Sequence, residues 1–327
     1  MARTAAVLIG ALAALAVTVI ASLVLGTKVT SLGELTDALG AGADNYLRLV
    51  LDSRINRTLV GILAGAALAI AGLLMQGVTR NPLADPGLLG INAGAAAALV
   101  TASAFFGVTG TTAAVWIAIP GALLAGLVVY ALGAAGNTGA GIVRLLLGGA
   151  VVSAVLHAYT QAVTLSNPDA FDSYRFWVVG SLSGSQMSTV LAILPFIVIG
   201  LVIALLLSSQ LNALALGSEA AVGLGVNTTF VRAAALLTGT VLAAAATAAV
   251  GPIAFIGLAV PHLVRYLAGL DFRAQVPVAI LVGPTILLLA DVLARTIVRP
   301  QELMVGVVTA FVGAPFLLLA VRKLHAA

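Results

Sequence analysis

Few side chains in this chain of 327 residues could do chemistry, and their spacing excludes more than it offers. The two lysines, Lys28 and Lys323, follow no glycine-rich loop, so a nucleotide-phosphate cradle cannot be built here. His157, His262 and His325 form no ligand cluster, and no HExxH occurs. Cysteine is absent, which removes disulfides, thiolate metal ligands and thiol catalysis and leaves the redox compartment open. The segment from Gly180 to Gly184 carries serines beside its middle position and none at it, so it is not a nucleophile elbow. What remains are polar residues set into apolar runs. Arg54 and Arg57 stand at the entrance to one. Asp291 and Arg295 are spaced i,i+4 in another and can pair along one helix face. Ser153, His157, Gln161 and Thr164 share one face of a third. Such a stripe either lines a water-filled path or makes interhelical hydrogen bonds, and the lone His157 is a poor metal site. The chemistry on offer is binding and passage, not bond-making.

The elements that must position these residues are membrane spans. Hydrophobic residues make up 61% of the chain and charged residues only 8%, where a soluble domain carries about 25% charged residues. Mean hydropathy is +1.19. The fold class is therefore an all-α integral membrane protein, a single domain over residues 1–327, because helices satisfy their own backbone in lipid. Ten apolar stretches occur, at about 5–25, 58–78, 88–106, 113–133, 142–165, 188–208, 229–250, 252–268, 276–296 and 303–321. The second and third form a hairpin whose break, Thr79 to Gly87, holds two prolines, an aspartate and a glycine. The first stretch is favoured as a retained span over a cleaved signal, being long for a signal and ending in a weak cleavage site. The pI is near 9.9, yet there is no basic run and no aromatic platform, so nucleic acid is not a partner.

Three polar intervals are long enough to carry structure. In 28–56, Ser31 and Glu34 have the spacing of a capping box. In 166–187, Tyr174, Phe176 and Trp177 suit a membrane interface. The interval 209–228 reads as two very short helices broken at Gly217–Ser218, with Ser218 capping the second. With the N-terminus inside, eight basic residues fall inside and seven outside, so charge bias barely orients the chain. A partner with acidic patches is one reason to keep arginines outside. Arg57 and Arg232 each lead a Gly/Ala-rich helix, as an inverted repeat would, and as chance also allows. Gly306, Ala310 and Gly313 form a small-residue face expected to pack on a partner subunit. Pro261, His262 and Arg265 read as a structural helix end.

Four segments occur in a familiar order: NPLADPGLLG (81–90), ALGSEAAVGLGVN (215–227), GPIAFIGLAVPHLVRYL (251–267), and ADVLAR (290–295) followed by ELMVGVVTAFVGAP (302–315). Together they closely resemble the permease subunits of type II ABC importers for iron-siderophores, haem and cobalamin, from about residue 28 onward. FDSYRFWVVGSLSG (171–184) looks most like ferric-siderophore members. Two departures stand out. Asn56 lies between the paired arginines where the family usually has proline, and Ser218–Glu219 stands where it usually has two acidic residues.

The resemblance implies ten spans, a second permease subunit, two cytoplasmic ABC ATPases that use ATP and Mg, and an external substrate-binding protein, with no cofactor on this chain. It implies that Arg54, Arg57 and Arg295 dock acidic side chains of the binding protein, with interfacial anchoring the plainer use of the first two. It implies coupling helices at about 211–227, with Leu214, Leu216, Gly217, Ser218, Glu219, Gly223 and Gly225 at the ATPase contact. It favours the pathway for Ser153, His157, Gln161 and Thr164, and places a cytoplasmic gate at Asn137 and Thr138, where a plain loop is the alternative. The expected function is import of a ferric siderophore across the cytoplasmic membrane; haem or cobalamin import by the same machinery is the alternative. An ion-coupled secondary transporter would need embedded ionisable groups, for which only Asp291 and His157 qualify.

Overall fold

The computed structural model describes residues 2–26, 31, 33–34, 45–108, 110–134 and 141–325. Its helices are α1 (Ala2–Val24), α2 (Asn45–Thr79), α3 (Ile91–Phe106), α4 (Thr111–Ala134), α5 (Gly141–Ser166), α6 (Pro168–Trp177), α7 (Met187–Ala215), α8 (Ser218–Gly223), α9 (Thr228–Val250), α10 (Ile256–Ala268), α11 (Phe272–Thr296) and α12 (Val305–His325), with a 3-10 turn at Pro86–Leu89. Seven of them are long and apolar enough to cross a bilayer, and α3, α10 and α12 supply shorter apolar segments. These ten helices coincide with the ten apolar stretches. Between α1 and α2 the expected capping box is formed: the Glu34 amide donates to Ser31 Oγ at 3.1 Å and the Ser31 amide to Glu34 Oε2 at 2.7 Å.

Helix α2 is the axis of the fold. It packs on α11, α9, α10 and α7, and 83% of its apolar window is buried, against 11% for α5. Small residues make this closeness possible. A Cβ on Gly65 would come within 2.6 Å of the Pro284 Cα, and one on Gly72 would collide with the Gly257 carbonyl, so α2 meets α11 and α10 backbone to backbone.

The chain does not run straight from α9 into α10. After Val250, whose carbonyl accepts from the Ser181 amide at 2.8 Å, residues 251–255 are not helical, Gly251 turns the chain at φ 73°, and Phe255 enters α10 at φ 71°. Helix α10 thus starts at the depth of Gly72, partway along α2; irregular backbone at that depth is tolerated where protein covers it. The α2–α3 turn reaches the same place. Asp85 caps Gly87 at 2.8 Å, and its other oxygen lies beside Gly257. Burial pushes the Asp85 carboxyl above its ordinary range, opposed by the Gly87 bond.

Two expectations need correction. Gly306 and Gly313 do not form a free face: a Cβ on Gly306 would meet the Val179 carbonyl and one on Gly313 the Phe255 ring, so both pack inside this chain. A stripe of small residues reports close approach without saying to whom. The interval 209–228 holds one short helix, α8, because α7 continues to Ala215. Ser218 is the first residue of α8 and does not cap it; Gly217 is the cap, at φ 122°, and Ser218 Oγ instead accepts from Arg232 at 2.8 Å.

Candidate functional site

The paired arginines meet three other elements at one end of the bundle. Asp291, with a fully buried side chain, is the hub. Arg57 donates to it from Nη2 at 2.8 Å and from Nε at 3.1 Å to each oxygen. Arg295, one turn along α11, forms the expected i,i+4 pair through Nη2 at 2.9 Å. Arg295 is 2% exposed and is anchored further by the Ser22 carbonyl at 3.2 Å and Ser22 Oγ at 3.0 Å; that hydroxyl shares a 2.8 Å hydrogen bond with Thr58. The outer hand of Arg57, Nη1, holds Glu302 at 2.7 Å. Arg54 donates to the Leu23 and Val24 carbonyls, at 2.6 and 3.0 Å, so a cation closes the C-terminus of α1. Charges removed from water need partners of this quality, and the hub supplies them.

These groups surround an open recess of about 350 Å³ whose wall includes Tyr46, Ser53, Arg54, Arg57, Arg295 and Glu302. The three arginines singled out from sequence are therefore brought together, but as a bonded cluster inside the protein surface and not as free side chains. Reading by sequence missed Ser22, Thr58 and Glu302. The only signal for Glu302 was an acid opening a family-like segment next to an arginine-rich end.

The opposite end carries the segment 211–227. Leu214 is fully buried, and its carbonyl accepts from Arg80 Nη2. Leu216 is 71% exposed, Glu219, Gly223 and Gly225 are exposed, and Gly217 turns the chain. Val222 and Leu224, not singled out beforehand, are 61% and 65% exposed and extend the apolar surface begun by Leu216. The patch is fixed from behind. Asn212 Nδ2 donates to Asp271 at 2.6 Å and Asn212 Oδ1 accepts the Phe272 amide at 2.8 Å. The Asn212 bond, then the Arg273 amide, hold the Asp271 carboxyl below its ordinary range. A short rigid element with exposed leucines above a braced base can be pushed by a partner and pass the push into α7, α9 and α11.

The polar stripe of α5 divides. His157 and Gln161 are exposed, Ser153 is half-buried against the Gly90 turn, and Thr164 is buried, donating to the Thr160 and Gln161 carbonyls at 2.9 and 3.0 Å. At the C-terminal end of α5, Asn167 caps α6 by accepting the Ala170 amide at 2.9 Å, and Arg175 lies 4.6 Å from the Phe176 ring centre. Asn137 and Thr138 lie outside the described residues. Among the described residues no group of three His, Cys, Asp or Glu could hold a metal.

A family model described as the FecCD transport family matches residues 14–323. The chain is 49% identical over 275 residues to the ferric enterobactin transport system permease protein FepD of Escherichia coli (strain K12), covering 84% of this chain and 82% of that protein. It is 42% identical over 270 residues to the Fe(3+)-citrate import system permease protein YfmD of Bacillus subtilis (strain 168), covering 83% of this chain and 80% of that one. An inward-facing structure described as a metal-chelate type ABC transporter superposes with a TM-score of 0.83 at 28% identity, over 98% of this chain and 99% of that chain.

Proposed function

The chain belongs to the FecCD transport family, and from that membership we propose that, as the permease subunit of an ATP-binding cassette importer, it carries a ferric siderophore inward. It is a multi-pass protein of the cytoplasmic membrane and a transport component, not an enzyme. The observation that carries the substrate class is the 49% identity to a ferric enterobactin permease along 84% of the chain. ATP and Mg are used by separate ATPase subunits, in keeping with the absence of a lysine-bearing phosphate loop in this sequence.

The roles of the two ends follow from their surfaces. The arginine recess receives acidic side chains of an external binding protein; charge of this kind speeds and orients encounter more than it tightens it. The apolar patch of Leu216, Val222 and Leu224, set on Gly217, Ser218 and Glu219, seats in the ATPase. Helix α5, little buried in this chain, meets the second permease, and His157 and Gln161 face the pathway between them. Asn137 and Thr138 stand at the cytoplasmic gate.

Uptake of a labelled ferric siderophore into proteoliposomes is the test. It should require ATP inside, the partner subunits and the binding protein. Uptake driven by an ion gradient without them would falsify the importer reading. Competition by haem or cobalamin, and not by siderophore, would move the substrate class.

A further inference from the structure

One bond in the outer cluster differs in kind from the rest. Asp291 holds the Nε and Nη2 edge of Arg57 from within a helix, with no exposure, and is also tied to Arg295. Glu302 holds the remaining Nη1 from the segment between α11 and α12, and its side chain is 30% exposed. Both Glu302 and Arg57 line the recess. A carboxylate entering the recess toward Arg57 finds the accessible hand already occupied by another carboxylate. The two repel, and only the one on the connecting segment can give way.

We propose that Glu302 is an internal stand-in for the docking partner's carboxylate, exchanged for it at Arg57 Nη1 when the binding protein seats. The inference rests on the docking reading above. It also gives docking a consequence. Glu302 sits one residue before Leu303, whose amide donates to the Ala294 carbonyl at 3.0 Å, and four before Gly306, whose amide donates to Gly180 at 3.1 Å. The Gly180 amide in turn donates to Trp177, the last residue of α6, at 3.1 Å. Because Gly306 lies against the Val179 carbonyl with no room for a Cβ, the segment that holds Glu302 is joined directly to the turn that carries α6. Exchange frees the 297–304 segment and transmits docking to α6.

The experiment uses the assembled transporter in lipid nanodiscs and the binding protein that stimulates its ATP hydrolysis. Glu302→Gln keeps an acceptor for Arg57 and removes the competing charge. Association should tighten by about fivefold at low salt, the scale of a partly exposed ion pair, and the gain should shrink as ionic strength rises. A weakened or unchanged association overturns the exchange, since a residue that merely positions Arg57 would weaken docking on removal. Arg54→Gln, measured in parallel, separates the two ideas. If it weakens association while Glu302→Gln leaves it unchanged, the exchange alone fails; if it has no effect, the docking reading fails and the exchange with it. Because the chain has no cysteine, Met304→Cys reports on the segment. Its maleimide labelling should accelerate on docking and already be fast in the undocked Glu302→Gln background. Equal rates in all states overturn the release of the segment.

Discussion

At the outer end, three arginines and two carboxylates are locked together by α1, α2, α11 and the segment after α11. At the inner end, a six-residue helix and its flanks present leucine and valine side chains to the surrounding medium over a base held by a few polar bonds. The first end keeps one positive charge in excess but its arginines already have partners, so a partner there must compete with bonds already made. The second is incomplete, and a partner there supplies what is missing. Competition suits a partner that comes and goes; exposed leucines suit one that stays. In the roles proposed above, the two surfaces differ in how they would bind as well as in what they would bind.

Breaking the outer end should have the largest effect. Asp291→Ala leaves Arg57 and Arg295 buried without their shared carboxylate and should cost about 3–5 kcal/mol, read as loss of monodisperse protein and a large fall in melting temperature in detergent. A small fall would mean that water already reaches the hub. At the inner end, Leu216→Glu with Leu224→Glu should leave the melting temperature within a degree or two while uptake falls about thirtyfold or more, the loss of a hot spot of about 2 kcal/mol. Retained uptake would remove the patch from the ATPase contact. Arg80→Ala removes the charged donor to the Leu214 carbonyl, which keeps the Gly217 amide at 3.2 Å, and should destabilise by about 1 kcal/mol, visible in thermal unfolding. Ser218→Ala should cost at most about 1 kcal/mol, with Arg232 simply returning to water. A larger cost would show that the inner end is more tightly organised than its few bonds suggest.

Much of this was legible because membrane folding writes its rules locally. The ten apolar helices follow from ten apolar stretches, seven of them long enough to cross a bilayer, the Ser31–Glu34 box from a three-residue spacing, and the Asp291–Arg295 pair from one helical turn. The Arg57–Asp291 bond was not legible: the partners are 234 positions apart, and nothing in either span says which helices adjoin. The division of the α5 stripe was hidden for the same reason, since spacing places four residues on one side of a helix but does not say what covers each. Ser218 misled because serine beside glycine is a good cap by composition, whereas Gly217 at φ 122° had taken that place and left the hydroxyl for Arg232.

The meeting of α2 with α10 and α11 has a mechanical consequence. Contacts made through side chains can slip by changing rotamers; contacts between bare backbones cannot, because there is nothing to rearrange. Gly72 against Gly257 and Gly65 against Pro284 pin α2 at two heights, which forbids both rolling and sliding. These three helices form a stator. Pins of the same kind tie Gly149 of α5 to the Leu88 carbonyl and Gly251 to the carbonyl of Trp177 at the end of α6, so the frame reaches beyond these three helices and a load on one is carried by the others.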